Sequence, residues 1–266
     1  MAPIRTDGGT FEPLLSLGLD VCQVVGWDRT VWTSELARAT REAADRSGVR
    51  MTSFWAGWPG PAVWDFVEGP STLGIVPPAY RDLRVNALKE AAVFASDLGV
   101  PAVITHLGFL PENPGDPELE AITGTVRVLA RFMNDRGLEF WFETGQETPV
   151  ALRRLIEQVG EPNLGINLDP ANLILYGKAN PVDSLLVFGG WVRNVHAKDG
   201  FYPTDPMRLG REVPVGDGLV GFPRLVDALE SAGFEGDYII EREITGDQQQ
   251  RDIRRAIAYL SGEELP

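Results

Sequence analysis

Four side chains able to ligate a metal stand at or next to the ends of short apolar or β-rich runs. They are Glu143 in "FWFETGQET", Asp169 in "GINLDPANL", His196 in "RNVHAKDG" and Glu241 in "YIIEREI", separated by 26, 27 and 45 residues. About one strand-plus-helix unit is that long, so four successive strands would each present one ligand at the same rim. Two glutamates, an aspartate and a histidine form an oxygen-rich, mixed ligand set. Such a set suits Mn²⁺, Mg²⁺ or Co²⁺ with positions left open for a chelating substrate, and it tolerates Zn²⁺. Any one of these residues alone is also an ordinary polar residue closing a strand; the reading rests on all four at corresponding places.

Building such a rim requires strands and crossover helices in alternation, and the punctuation of the chain supplies them. Thr33 or Ser34 caps a helix over 35–48 that stops at Gly48. Leu83, Leu88, Ala91, Ala92, Ala95 and Leu98 form one face of a helix over 81–98, ended by Gly99. Asp116-Pro117, Thr148-Pro149 and Asn180-Pro181 each read as an N-cap followed by proline at the first helical position. Further helices are predicted over 10–18, 223–233 and from about Asp247 to Leu260. Between the helices lie strand-like runs at 20–26, 49–57, 100–106, 138–143, 163–169, 191–197 and 237–243, with a weaker one at 3–7.

Two stretches, 57–80 and 199–221, are rich in Gly and Pro and read as long irregular loops, which are often functional. No antiparallel hairpin signature, G-x-G-x-x-G or P-loop follows a strand. Eight strand and helix units therefore predict one closed (β/α)₈ TIM barrel spanning residues 1–266 as a single domain.

Composition narrows the partners. A formal net charge of −14 with no Lys/Arg cluster argues against nucleic acid, so a small neutral or metal-chelated substrate fits better. No apolar run is long enough for a membrane span, and the N-terminus has no secretory core, which predicts a cytoplasmic protein. Cys22 is the single cysteine, and "DVCQVVG" places it as a buried strand thiol rather than a nucleophile.

The motifs "ETGQETP" (143–149), "NLDPANL" (167–173), "HAKDG" (196–200) and "IERE" (240–243) resemble those of the sugar phosphate isomerases and epimerases of the xylose-isomerase-like TIM-barrel family. That group includes ketose 3-epimerases, hydroxypyruvate isomerases and inosose dehydratases, and the resemblance covers nearly the whole chain. It implies that Glu143, Asp169, His196 and Glu241 bind one divalent ion. Glu243 shares a strand face with Glu241, so the choice between them rests on the resemblance.

The implied chemistry is proton transfer next to a carbonyl. Glu143 and Glu241 would each remove or return a proton while the metal stabilises the enediolate. A carboxylate that instead protonates a leaving hydroxyl would make the same site a lyase of the inosose dehydratase type. A non-catalytic sugar- or metal-binding barrel is the third reading. Asn172 departs from the pattern, because ketose 3-epimerases commonly carry a histidine at that place. The family member endonuclease IV needs a three-zinc cluster with several histidines, and this chain has two.

Further substrate contacts are expected at His106, Lys198, Asp199 and the tryptophans Trp27, Trp55 and Trp58, whose faces suit a sugar. For a phosphate, Arg211 and the backbone of "GDGLVG" (216–221) are the candidates. The resemblance makes a homodimer or homotetramer the expected assembly, and the apolar "WPGPAVWDF" loop suits a subunit contact or a lid.

Overall fold

Proline and glycine set the element boundaries much as the sequence predicts. In the computed structural model, which describes residues 1–262, Thr148 accepts from Ala151 N at 3.3 Å. Pro149 then opens the helix Pro149–Val159, and Gly160 ends it with φ +69°. Asn180 likewise accepts from the amides of Val182 and Asp183 ahead of the helix Pro181–Phe188. Asp116 accepts from Glu118 N at 2.9 Å at the start of the helix Glu118–Asn134. The last four residues of the predicted domain lie outside the described ones.

Among the described residues ten strands follow in chain order: β1 (Ala2–Pro3), β2 (Val21–Gly26), β3 (Arg50–Ala56), β4 (Ala102–Thr105), β5 (Glu139–Glu143), β6 (Leu164–Leu168), β7 (Val192–Ala197), β8 (Asp199–Phe201), β9 (Arg211–Val213) and β10 (Asp237–Ile240). Eight of them form one parallel sheet in the order β1-β2-β3-β4-β5-β6-β7-β10, with helices in the crossovers, as in a TIM barrel.

The seam is less complete than the expected closed barrel. β1 has two residues, one of them Pro3, which has no N–H to donate, and no ladder joins β1 to β10 among the described residues. The Met1 amino group spans the gap by donating to Ile240 O at 3.0 Å.

The main core lies between sheet and helices. Along β5, Phe140 and Phe142 join it, while the alternate residue Trp141 belongs to a smaller cluster with Trp55, Trp58 and Ile104. Cys22 is buried as expected, and burial pushes its thiol up to about 11.

Three local features depart from the sequence reading. The 199–221 stretch contains the antiparallel ribbon β8–β9, whose nine-residue connection carries no tight-turn signature. A short helix, Pro170–Leu175, starts immediately after Asp169, whose side chain accepts from Asn172 N at 2.8 Å. The 57–80 stretch is irregular apart from the turn of helix Gly69–Thr72 and the entry into the helix Pro78–Leu98.

That last loop is anchored from below by Arg84, which is fully buried. Its guanidinium donates to the carbonyls of Pro59 (3.2 Å), Pro61 (2.7 Å) and Gly74 (2.5 Å). Burial draws the Arg84 pKa down to about 10, and the three carbonyls satisfy the donors that burial removes from water.

Candidate metal centre

Consecutive strands deliver the four ligand candidates to one point. Glu143 ends β5, Asp169 follows β6, His196 lies in β7 and Glu241 follows β10. All four are buried, and one ligand atom of each lies within 4.8 Å of the others. His196 Nδ1 stands 3.1 Å from Glu241 Oε2, 3.4 Å from Glu143 Oε1 and 3.8 Å from Asp169 Oδ2. Glu241, rather than Glu243, belongs to the cluster.

The residues fit a divalent cation on two observations. Asp169 Oδ2 and His196 Nδ1 are buried with no hydrogen-bond partner, so their lone pairs converge on one point, with the Lys198 ammonium 3.5 Å from Asp169 Oδ2 as a nearby counter-charge. On the far side of the His196 ring, Nε2 lies 2.9 Å from Gln23 Oε1. Asn167 Nδ2 lies 3.0 Å from the same nitrogen, so two side chains hold the ring from that side and leave Nδ1 facing the carboxylates, the orientation a metal ligand needs.

Electrostatics favour positive charge at the same point. Burial opposes a charge on His196, but Glu241 and Glu143 outweigh it and hold the imidazole pKa well above its ordinary value. Burial likewise opposes the negative charge of Glu241, which Lys198 and His196 nonetheless hold well below the usual carboxylate range. Glu143 is lowered against its burial by His106 and His196. Without a cation the cluster draws protons; a bound ion would replace them.

Glu143 is fixed on both oxygens. The Trp55 indole N–H donates to Oε2, and Asn172 Nδ2 donates to Oε1 at 3.2 Å. His106 presents Nε2 at 3.5 Å from Oε1, with Nδ1 at 3.2 Å from the Glu143 carbonyl. Lys198 is buried beneath the rim with its ammonium 3.3 Å from Glu241, 3.5 Å from Asp169 and 3.2 Å from Glu243. Burial acts against that charge, and the surrounding carboxylates raise its pKa well above the usual lysine value.

A cavity of about 350 Å³ opens over the cluster, lined among others by Trp27, Trp55, His106, Glu143, Asn172 and Glu241. Asp169, His196 and Lys198 are buried and do not line it. Trp58 packs behind the wall, within 5.4 Å of Trp27 between ring centroids.

Two expected substrate contacts are placed elsewhere. Arg211 is solvent-exposed on β9, with its guanidinium over the Phe201 ring at 5.2 Å. Asp199 is buried, and its carboxylate accepts from four backbone amides: Gly200 (2.8 Å), Gly216, Gly218 and Val220 (each 3.1 Å). Three of the "GDGLVG" amides expected to receive a phosphate, those of Gly216, Gly218 and Val220, are thus taken by the chain's own aspartate. Glycine is required there, since a Cβ on Gly218 would stand 2.1 Å from Asp199 Oδ1.

Sequence reasoning missed Trp64, Tyr176 and Leu209 of the cavity wall, which irregular or unexpected segments carry. It also missed the polar layer below the cluster. Asn194 Nδ2 donates to Asn167 Oδ1 at 2.5 Å, and Gln23 Nε2 donates to Ser53 Oγ at 3.2 Å. Asn167 and Asn194 each precede a ligand candidate by two residues, so strand periodicity was the available signal.

A crystal structure of a xylose isomerase domain protein from Planctomyces limnophilus superposes with TM-score 0.91 at 35% identity, over 95% of this chain and 91% of that one. The E. coli 3-keto-D-glucoside 4-epimerase YcjR superposes with TM-score 0.71 at 16% identity, over 98% of both chains, a likeness of fold. An uncharacterised protein of Methanocaldococcus jannaschii is 25% identical over 172 residues, which are 60% of this chain and 57% of that protein's length. The family described as xylose isomerase-like TIM barrel matches residues 11–262, and this chain belongs to it.

Proposed function

We propose that the chain is a divalent-metal-dependent isomerase or epimerase acting on a small sugar or related polyol ketone. The observation that carries this reading is the buried convergence of Glu143, Asp169, His196 and Glu241, with Asp169 Oδ2 and His196 Nδ1 unpartnered. Mn²⁺, Mg²⁺ or Co²⁺ suit this donor set, which Zn²⁺ also tolerates. When bound, such an ion supplies electrophilic stabilisation of negative charge developing on a substrate carbonyl oxygen.

The protein's own groups do the rest. Glu241 turns Oε2 toward His196 and Lys198, which leaves Oε1 to take or return the α-proton. Glu143 serves the opposite face of the substrate carbon; Trp55 and Asn172 hold its carboxylate in one orientation, so little reorganisation accompanies proton transfer. His106 and Asn172 border the cavity as hydrogen-bonding groups for substrate hydroxyls. The fold likeness to a sugar epimerase agrees with this assignment.

The test is incubation of the metal-loaded protein with ketoses and inososes in deuterated water. Deuterium incorporation at the carbon next to the carbonyl, lost in Glu143→Gln and Glu241→Gln, supports the proposal. Release of water without exchange reassigns the chain to the lyases, and neither reaction refutes both.

A further inference from the structure

Three observations bear on which sugars the cavity accepts. First, among the described residues lining it, the charged side chains are Glu143, Glu241 and Glu243, with no lysine or arginine. Lys198 beneath them is already shared by three carboxylates. The Met1 amino group also borders the cavity, but it is engaged by Ile240 O, and burial lowers its pKa. Four carboxylates against one ammonium and one divalent ion leave the site net negative, so a dianionic ester would enter against the field.

Second, five amides of the loop that would cradle a phosphate at this end of the barrel are taken: those of Gly216, Gly218 and Val220 donate to Asp199, and those of Asp217 and Leu219 to the carbonyls of Pro214 and Gly200. Third, the opposite wall is aromatic. Trp27 and Trp64 are 46% and 40% exposed, whereas Trp55 and Trp58 behind them are buried. Trp27 is backed by Trp55 at 5.1 Å, and Trp64 by His106 at 5.2 Å, so the two exposed indoles are held by packing while part of each remains open to solvent. Rigid, partly exposed indoles suit the C–H face of a polyhydroxylated ring.

We propose that the ligand of this cavity is an uncharged monosaccharide or cyclic polyol ketone stacked on Trp27 and Trp64, and that phosphate esters of such sugars are rejected. This rests on the metal-dependent sugar chemistry proposed above and specifies its substrate class. The cavity volume of about 350 Å³ lies at the small end of ligand cavities, sized for one sugar unit.

The experiment titrates the Mg²⁺-loaded protein with free ketohexoses and inososes, with fructose 1-phosphate and fructose 6-phosphate, and with inorganic phosphate. Binding is read by calorimetry and by tryptophan fluorescence. At least one free sugar is expected to bind and to quench fluorescence, the esters to bind at least about 10-fold more weakly, and inorganic phosphate to leave Tm unchanged. Trp27→Ala and Trp64→Ala should each weaken the sugar about 5- to 10-fold at unchanged metal content. An ester binding as tightly as its parent sugar, a Tm raised by phosphate, no neutral sugar bound, or tryptophan variants of unchanged affinity would overturn the inference. Loss of metal binding or of α-proton exchange would strike the proposed function instead, while the preference between sugar and ester stays measurable by binding.

Discussion

The indole N–H of Trp55 on β3 donates to Oε2 of Glu143 at the end of β5, joining the aromatic wall of the cavity to its metal cluster. Trp55→Phe keeps an aromatic side chain, smaller than the indole, and removes the donor. Because a hydrogen bond to a charged group is worth roughly 1.5–3 kcal/mol, turnover should fall about 10- to 100-fold. Metal content should change little, while Tm falls by a few degrees because the buried Glu143 oxygen loses its donor. Steady-state kinetics beside metal analysis checks this; unchanged turnover would mean that the Glu143 carboxylate needs no such fixing.

Asp199 organises a loop rather than a ligand. Asp199→Ala leaves the amides of Gly200, Gly216, Gly218 and Val220 without their common acceptor, so a loss of about 3–5 kcal/mol of stability is expected. Denaturant unfolding measures it. Arg211→Ala, at an exposed position on β9, should leave both stability and sugar binding near the wild-type values.

Glu147 gives a pH dependence. It is fully buried behind the rim with Oε2 unpartnered, and burial raises its pKa to about 8. In the unfolded chain the group ionises near the ordinary glutamate value of about 4.3. The folded state therefore binds the extra proton between these values, and stability falls as pH rises through that window, then levels off above about 8. Glu147→Gln removes this component, so its Tm should exceed that of the wild type increasingly from pH 5 to about pH 8. A difference that does not vary with pH would contradict the assignment.

Cys22 should be inert. Its thiol is buried and its pKa is pushed up to about 11, so a disulfide-exchange reagent should titrate no thiol in the native protein and one per chain after denaturation.

The sequence revealed most where local chemistry decides structure. Thr148-Pro149 and Asn180-Pro181 mark helix starts in the structure because side-chain cap and proline act within one turn. The four ligand candidates were visible because strand ends are punctuated and the residue types are unusual there. Asp169-Pro170 carried the same helix-start signal, but the apolar strand running into it obscured the short helix Pro170–Leu175. The fates of Asp199 and Arg211 depend on how the 199–221 stretch folds back as β8–β9, a relation with no local periodicity. Trp64 reaches the cavity from a loop whose path is set by the tertiary anchor Arg84, and Tyr176 from the end of the short helix Pro170–Leu175, so spacing along the chain does not encode either. The barrel seam depended on β1 being only the two residues Ala2–Pro3 rather than the run over 3–7, with Pro3 offering no N–H to a ladder.

The most direct test of the metal centre is the divalent ion content of the reconstituted protein, measured by mass spectrometry and titration calorimetry for wild type, Asp169→Ala and His196→Ala. The account predicts one ion per chain for the wild type and a loss of at least about 100-fold in affinity for each variant, with both variants folded by circular dichroism. A folded wild type that retains no divalent ion, or variants that bind it as tightly as the wild type, would contradict it.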